Sequence, residues 1–125
     1  MRLDTETYAV VSLEEMKEAR VKASESNEEY SNKYKNFLIT CLCEAGLANK
    51  IVRIKSSERN TGVLKVEESR HNPNRPYEIK YHPVNKDGSV SKHSRYVHGC
   101  NLVRESTLIS ELKNAFEVVG DYVEG

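Results

Sequence analysis

Tyr77, Ile79 and Tyr81 alternate with Glu78, Lys80 and His82. A period of two puts one apolar face inward and one polar face outward, so this run predicts a strand. Pro76 precedes it and Pro83 closes it, because proline cannot donate to a ladder. Val52 and Ile54, opposite Arg53 and Lys55, predict a second strand. Leu64 and Val66, opposite Lys65 and Glu67, predict a third. Asp87-Gly88 is a hairpin signal, since glycine supplies the positive φ of the turn. It should join the Tyr77 strand to a run from Val90 to Val97. Gly62, after Asn60 and Thr61, reads as another turn, and Gly99 as the last, before a short run at Leu102 and Val103.

The flanks have a different period. Ser12, with Glu15 three residues on, forms a capping box. Beyond it Leu13, Met16, Arg20, Ala23, Asn27, Tyr30, Tyr34, Phe37 and Cys41 recur at spacings of 3 and 4. That is a helical seam, weakened at its centre by Arg20 and Asn27. Ser26 and Glu29 offer a second capping box, so the stretch is one long helix or two helices broken near Ser24–Asn27. Gly46 is a C-terminal stop. The half from Tyr34 to Ala45 is apolar on more than one face, which implies burial against the strands or a second copy. Past the strand region, Ser106 or Thr107 can cap a last helix with Leu108, Ile109, Leu112, Ala115, Phe116 and Val119 on one side. Gly120 should end it.

Five closely spaced strand-like runs between Lys50 and Ser106 predict a compact barrel or sandwich. Their order resembles SH3-like small β-barrels of the Tudor and KOW type. The matching pieces are the opening IVRIK, the glycine in NTGVLKV, YEIKY followed by DG, and a late RYV then LVRE. The resemblance covers residues 50–106. With the flanking helical patterns, the expectation is an α+β architecture: an N-terminal helical region (1–49), a five-stranded SH3-like antiparallel barrel (50–106), and a C-terminal helix and tail (107–125). Such barrels bind nucleic acids, modified side chains or protein partners, and the fold does not choose among these.

Charge sharpens the picture. The net charge of the 125 residues is zero. It divides into −3 for residues 1–49, +6 for residues 50–106 and −3 for residues 107–125. Such asymmetry predicts one basic surface on a neutral protein. Mean hydropathy is −0.67, and no apolar run approaches the ~20 residues that span a bilayer. The N-terminus lacks the apolar core of a secretory signal. Three cysteines, an odd number, argue against a disulfide framework. A cytoplasmic protein that does not bind membranes is the expectation.

Candidate chemistry is sparse. Cys41 and Cys43 are one residue apart, which on a helix points the thiols about 200° apart. With Cys100 they supply three ligands where a zinc site wants four, so core packing is expected and no metal or cofactor. His82, His93 and His98, with Asn101, superficially resemble an HNH-type nuclease, but the helix after them has no histidine. No phosphate loop or paired-carboxylate motif is visible, and an enzyme is not expected. Tyr77, Tyr81 and Tyr96 are candidates for an aromatic cage around a methylated cation; the plainer reading is an inward strand face. Arg53, Lys55, Lys65, Lys80 and Arg95 are candidates for phosphate contacts.

The leading expectation is therefore a small non-enzymatic protein that binds nucleic acid on a basic barrel face. The alternative is an adaptor or inhibitor that binds a protein through the barrel edge or the helical seam, in the manner of a phage accessory protein acting on a host complex. The seam also allows a homodimer through the N-terminal helix. A continuous basic groove would favour nucleic acid. A broken one beside an exposed apolar patch would favour protein.

Overall fold

Ser12 begins the described helices as its sequence predicts: its Oγ accepts from the Glu15 N–H at 3.2 Å, and its carbonyl from the Met16 N–H at 3.1 Å. The computed structural model describes residues 10–21, 27–55, 61–69, 75–95 and 104–122. Its elements are α1 (Leu13–Val21), α2 (Asn27–Glu44), β1 (Lys50–Ile54), β2 (Thr61–Glu68), β3 (Tyr77–Pro83), a 3-10 turn (Glu105–Thr107), α3 (Leu108–Ala115) and β4 (Phe116–Asp121).

The helical seam resolves into two helices. Val11 meets Thr40 and Arg20 meets Tyr30, so α1 and α2 run antiparallel. Met16, Ala19, Tyr30, Tyr34 and Phe37 are all buried between them and the sheet. The seam closes within the chain and leaves these residues covered without a second copy. Gly46 ends α2 at a φ of +76°, with the Gly46 N–H on the Cys43 carbonyl and the Leu47 N–H on the Leu42 carbonyl. Those two bonds are a Schellman cap, which glycine favours because it carries no Cβ penalty there.

The strands form one antiparallel sheet in the order β3-β2-β1-β4. Here the expectation needs correcting. The described strands number four, not five, and they make an open sheet. The predicted run from Val90 to Val97 is reduced to two isolated bridges, Val84↔Val90 and Tyr81↔Arg95; residues 96–103, including Leu102 and Val103, lie outside the described residues. The Asp87-Gly88 turn is present, with Gly88 at φ +89° and the Asn85 N–H bonded to the Ser89 carbonyl at 2.7 Å. Gly62 is inside β2 rather than in a turn, opposite Pro83.

The C-terminal helix is also shorter than expected. It stops at Ala115, and Phe116 to Asp121 pair with β1 as the fourth strand. Phe116, Val118 and Val119 are aromatic or β-branched, types that fit a pleated surface. The register Ile54↔Phe116 carries the Phe116 ring into the core, where it is 2% exposed. Thr107 holds the N-cap position of α3, but its hydroxyl makes no capping bond; the 3-10 turn leads in instead.

All three helices contribute to one core on one face of the sheet. Phe37, Leu38, Cys41 and Leu42 of α2, and Leu108 and Leu112 of α3, pack with Val52, Leu64, Ile79, Tyr81 and Phe116. Each fully buried large side chain stabilises the fold by roughly 1.5–3 kcal/mol relative to exposure. The opposite face carries the odd-numbered residues of β1 and β2 and the even-numbered residues of β3.

Candidate interaction surface

The antiparallel register decides which charges share that opposite face. Arg53 lies across from Thr61, Lys65 from Lys80, and Glu67 from Glu78, while Arg53 also faces Glu117 of β4. Three of the predicted cations, Arg53, Lys65 and Lys80, thus share one face with three carboxylates, Glu67, Glu78 and Glu117, but only Lys65 and Lys80 are neighbours; Arg53 and Glu117 lie opposite Thr61, four residues along β2 from Lys65. Arg53 pairs with Glu117 at 2.8 Å and Lys80 with Glu78 at 2.9 Å. The bond to Glu78 also holds the Lys80 ammonium above its ordinary pKa. Lys80 leans that way rather than stand opposite Lys65, since like charges directly across a ladder repel. At the sheet margin Lys50 pairs with Asp121.

The other two cations do not extend the patch. Lys55 follows β1 and donates to the Lys113 carbonyl at 2.8 Å. Arg95 is exposed beyond β3. Among the described residues the basic face is therefore interrupted by carboxylates at nearly every step.

Among the described residues, Tyr77 and Tyr81 do not form a cage. Tyr77, Ile79 and Tyr81 point to the helix face, as their alternation predicts. Tyr81 is 1% exposed and stacks on Phe116 at 6.0 Å between centroids. Burial pushes its phenol up in pKa, and its hydroxyl has no hydrogen-bond partner. Tyr77 is half-buried with the Lys35 Nζ 5.7 Å from its ring centre. Tyr96 lies outside the described residues.

Two polar clusters hold elements in place, and neither is visible in the sequence. Arg20 donates from Nε to the Tyr30 hydroxyl at 2.8 Å and from both terminal nitrogens to Glu105, which also accepts from the Tyr34 hydroxyl at 3.3 Å. The bond to Glu105 raises the Arg20 pKa, while burial first and then Glu105 raise that of Tyr34. This clamp ties α1 and α2 to the turn before α3. The one sequence signal was Arg20 itself, a cation at a seam position that needs a partner. The second cluster joins His82 to Glu67 and Ser91.

A cleft of about 470 Å³ opens where α1, α2 and the 3-10 turn meet. Its lining includes Phe37, Cys41, Glu15, Glu44 and Glu105. Burial first, then Glu44, pushes the Cys41 thiol up to about 12, so it stays neutral and unreactive. Among the described residues no three His, Cys, Asp or Glu side chains are grouped to hold a metal ion. No described helix is long and apolar enough to cross a membrane. His93 is exposed on the turn after β3, while His98 and Asn101 lie outside the described residues.

The margin of β4 carries two of the four exposed large hydrophobics among the described residues, the others being Val10 and Val21 near the ends of α1. Val118 is 47% exposed and Val119 48%, on a strand whose outer side no described strand pairs. The register steps from Ile51↔Gly120 to Val52↔Val118, so Val119 is the extra residue of a β-bulge. The opposite margin, at β3, is covered by residues 84–95 of the same chain.

No family model, no curated protein and no solved structure matches this chain.

Proposed function

We propose that this chain is a non-enzymatic protein-binding module that takes an extended segment of another protein along the outer edge of β4. The observation that carries this is the edge of β4, unpaired among the described residues, which bears Val118 and Val119, each about half exposed, next to a face where Arg53 and Lys80 are paired with carboxylates. An added strand would gain main-chain hydrogen bonds from the edge and bury both valines. Glu117 and Asp121, which flank the pair, are themselves held by Arg53 and Lys50, so the segment that fits best is one that presents apolar residues to the two valines.

Nucleic acid is the competing occupant. It would draw on Lys55, Lys65 and Arg95, the predicted cations for which no carboxylate partner is seen among the described residues. Three such contacts give a shallow salt dependence, with a log–log slope of about −2 to −3.

The test selects 12-residue peptides from a random displayed library on the full chain, then maps binding by amide chemical shifts. Selected peptides should move the amides of β4 and lose binding to the Val118→Lys/Val119→Lys variant. Single- and double-stranded oligonucleotides are titrated in parallel at low salt. Peptides that bind the double variant equally well, or oligonucleotide binding tighter than about 100 μM, would overturn the proposal.

A further inference from the structure

Three parts of the chain wall the cleft: Val10 to Glu15 leading into α1, the second half of α2, and Glu105 to Ser110 at the 3-10 turn and the start of α3. Its volume, about 470 Å³, is within the range of about 300–1,000 Å³ that small-molecule sites occupy. Val11, Phe37 and Cys41 form a buried floor, while Leu13 and Ile109 are only partly covered. Val10, also in the lining, is 68% exposed. An apolar body placed here would cover surface that the fold leaves in water.

The charge of the lining has one sign. Glu15, Glu44 and Glu105 supply carboxylates, and among the described residues no Lys, Arg or His lines the cleft. Glu105 is held by Arg20 and Tyr34. Glu15 and Glu44 are exposed, and no partner of either carboxylate is seen among the described residues. Glu44 ends α2, whose last turn has no basic residue. The negative end of that helix adds to the carboxylate instead of offsetting it. Helix starts favour anions, but α1 and the 3-10 turn each carry acidic residues in the first turn, Glu15 and Glu105 among them, which already answer that charge. Ser106, Thr107 and Ser110 put hydroxyls on the third wall, and a hydroxyl can accept from an ammonium group.

We propose that this cleft is a binding site for a small organic cation, a compact apolar body carrying one ammonium group. The body lies on Val11, Leu13, Phe37 and Ile109, and the ammonium group lies toward Glu15 and Glu44 at the rim. An anion would meet three carboxylates and no cation. A neutral apolar molecule would gain the floor alone. A metal ion would lack ligands, since among the described residues no three His, Cys, Asp or Glu side chains are grouped to hold one. The inference is independent of the reading given to β4.

The probes are phenethylamine, its neutral analogue phenethyl alcohol and the anion hydrocinnamate. Each is titrated into the full chain at neutral pH and low salt while the methyl resonances of Val11, Leu13 and Ile109 are followed. Phenethylamine should shift these methyls saturably and bind at least about threefold tighter than the alcohol, the factor that one or two exposed ion pairs supply. Hydrocinnamate should bind weakest. In Glu15→Gln/Glu44→Gln the amine should fall to the affinity of the alcohol, whose own binding should not change. No saturable shift with the amine, or shifts confined to residues outside the cleft, would overturn the site. A preference for the amine below about threefold, or one that the double variant keeps, would overturn the choice of a cation. Both substituted positions are exposed, and the order of the three probes on the wild-type chain decides the matter even if that variant is lost.

Discussion

Gly62 is where a single methyl group should do most damage. A Cβ built there would lie 2.5 Å from Tyr81 Cε2, 2.6 Å from Tyr81 Cζ and 2.5 Å from the His82 carbonyl oxygen. Carbon atoms prefer separations of about 3.5–4.0 Å, so each neighbour must retreat by about an ångström. Neither can do so freely. The Tyr81 ring is 1% exposed and stacked on Phe116, and the His82 carbonyl belongs to a strand paired with β2 residue by residue. Overpacking of this kind costs about 1–3 kcal/mol. Two rigid obstacles argue for the upper end, and replacing glycine in a strand returns about 0.5–1 kcal/mol of chain entropy. Gly62→Ala is expected to lose about 2 kcal/mol net, read as a lower urea midpoint at unchanged slope. Tyr81→Leu removes the two ring atoms, so the same glycine substitution should cost less in that background, with a coupling of about 1–2 kcal/mol. A loss below about 0.5 kcal/mol for Gly62→Ala, or no coupling to Tyr81, would refute the reasoning.

The packing sets further outcomes. Arg20→Met and Glu105→Gln should each destabilise by about 1–3 kcal/mol, below the 3–5 kcal/mol of a fully buried broken pair, because the side chains are 31% and 15% exposed; a denaturant titration checks this, and the double variant should cost less than the sum. Phe37→Ala should lose about 3–5 kcal/mol in the same assay. Tyr81→Phe should be neutral or stabilising by up to about 1 kcal/mol in thermal unfolding, since it removes a buried hydroxyl without a partner. Cys41 is raised from its ordinary value of 9.0 to about 12. A raised folded pKa means stability is full below the unfolded value and lost above it. Unfolding midpoints should fall between pH 9 and 12, and Cys41→Ala should flatten that fall. A thiol reagent should label Cys41 at pH 8 only on unfolding.

Local structure was legible where one period ran unbroken between clear stops. β3 sits between two prolines, β1 and β2 alternate cleanly, and Ser12 and Gly46 carry their own capping chemistry. β4 was missed because spacings of 3 and 4 continue from Leu108 through Phe116 to Val119 with no glycine or proline between α3 and the strand. An apolar run of that length is ambiguous by periodicity alone; pairing with β1 decided it. The clusters Arg20–Glu105 and His82–Glu67 join residues 85 and 15 positions apart. No local pattern encodes either. The charge sum along the chain leaves out the same kind of information. A sum along residues 50–106 counts Arg53, Lys65 and Lys80 but ignores cross-strand register, which sets Glu78 and Glu67 among them and brings Glu117 from outside the segment.

The two margins of the sheet are treated in opposite ways. An open edge offers unpaired N–H and C=O groups to any passing strand, and proteins blunt such edges with lysine, proline, bulges or covering loops. At β3 the chain uses the strongest of these devices, folding residues 84–95 back onto the strand and fastening them through His82. At β4, among the described residues, only the bulge at Val119 is seen, and Val118 beside it is half exposed like Val119 itself. If both margins needed only protection from aggregation, the weaker guard would not sit on the more apolar strand. The bulge also interrupts the ladder between Val118 and Gly120, so an added segment can pair in register on only one side of it. In the proposed reading, that limits which strands can join there while leaving both valines to be covered.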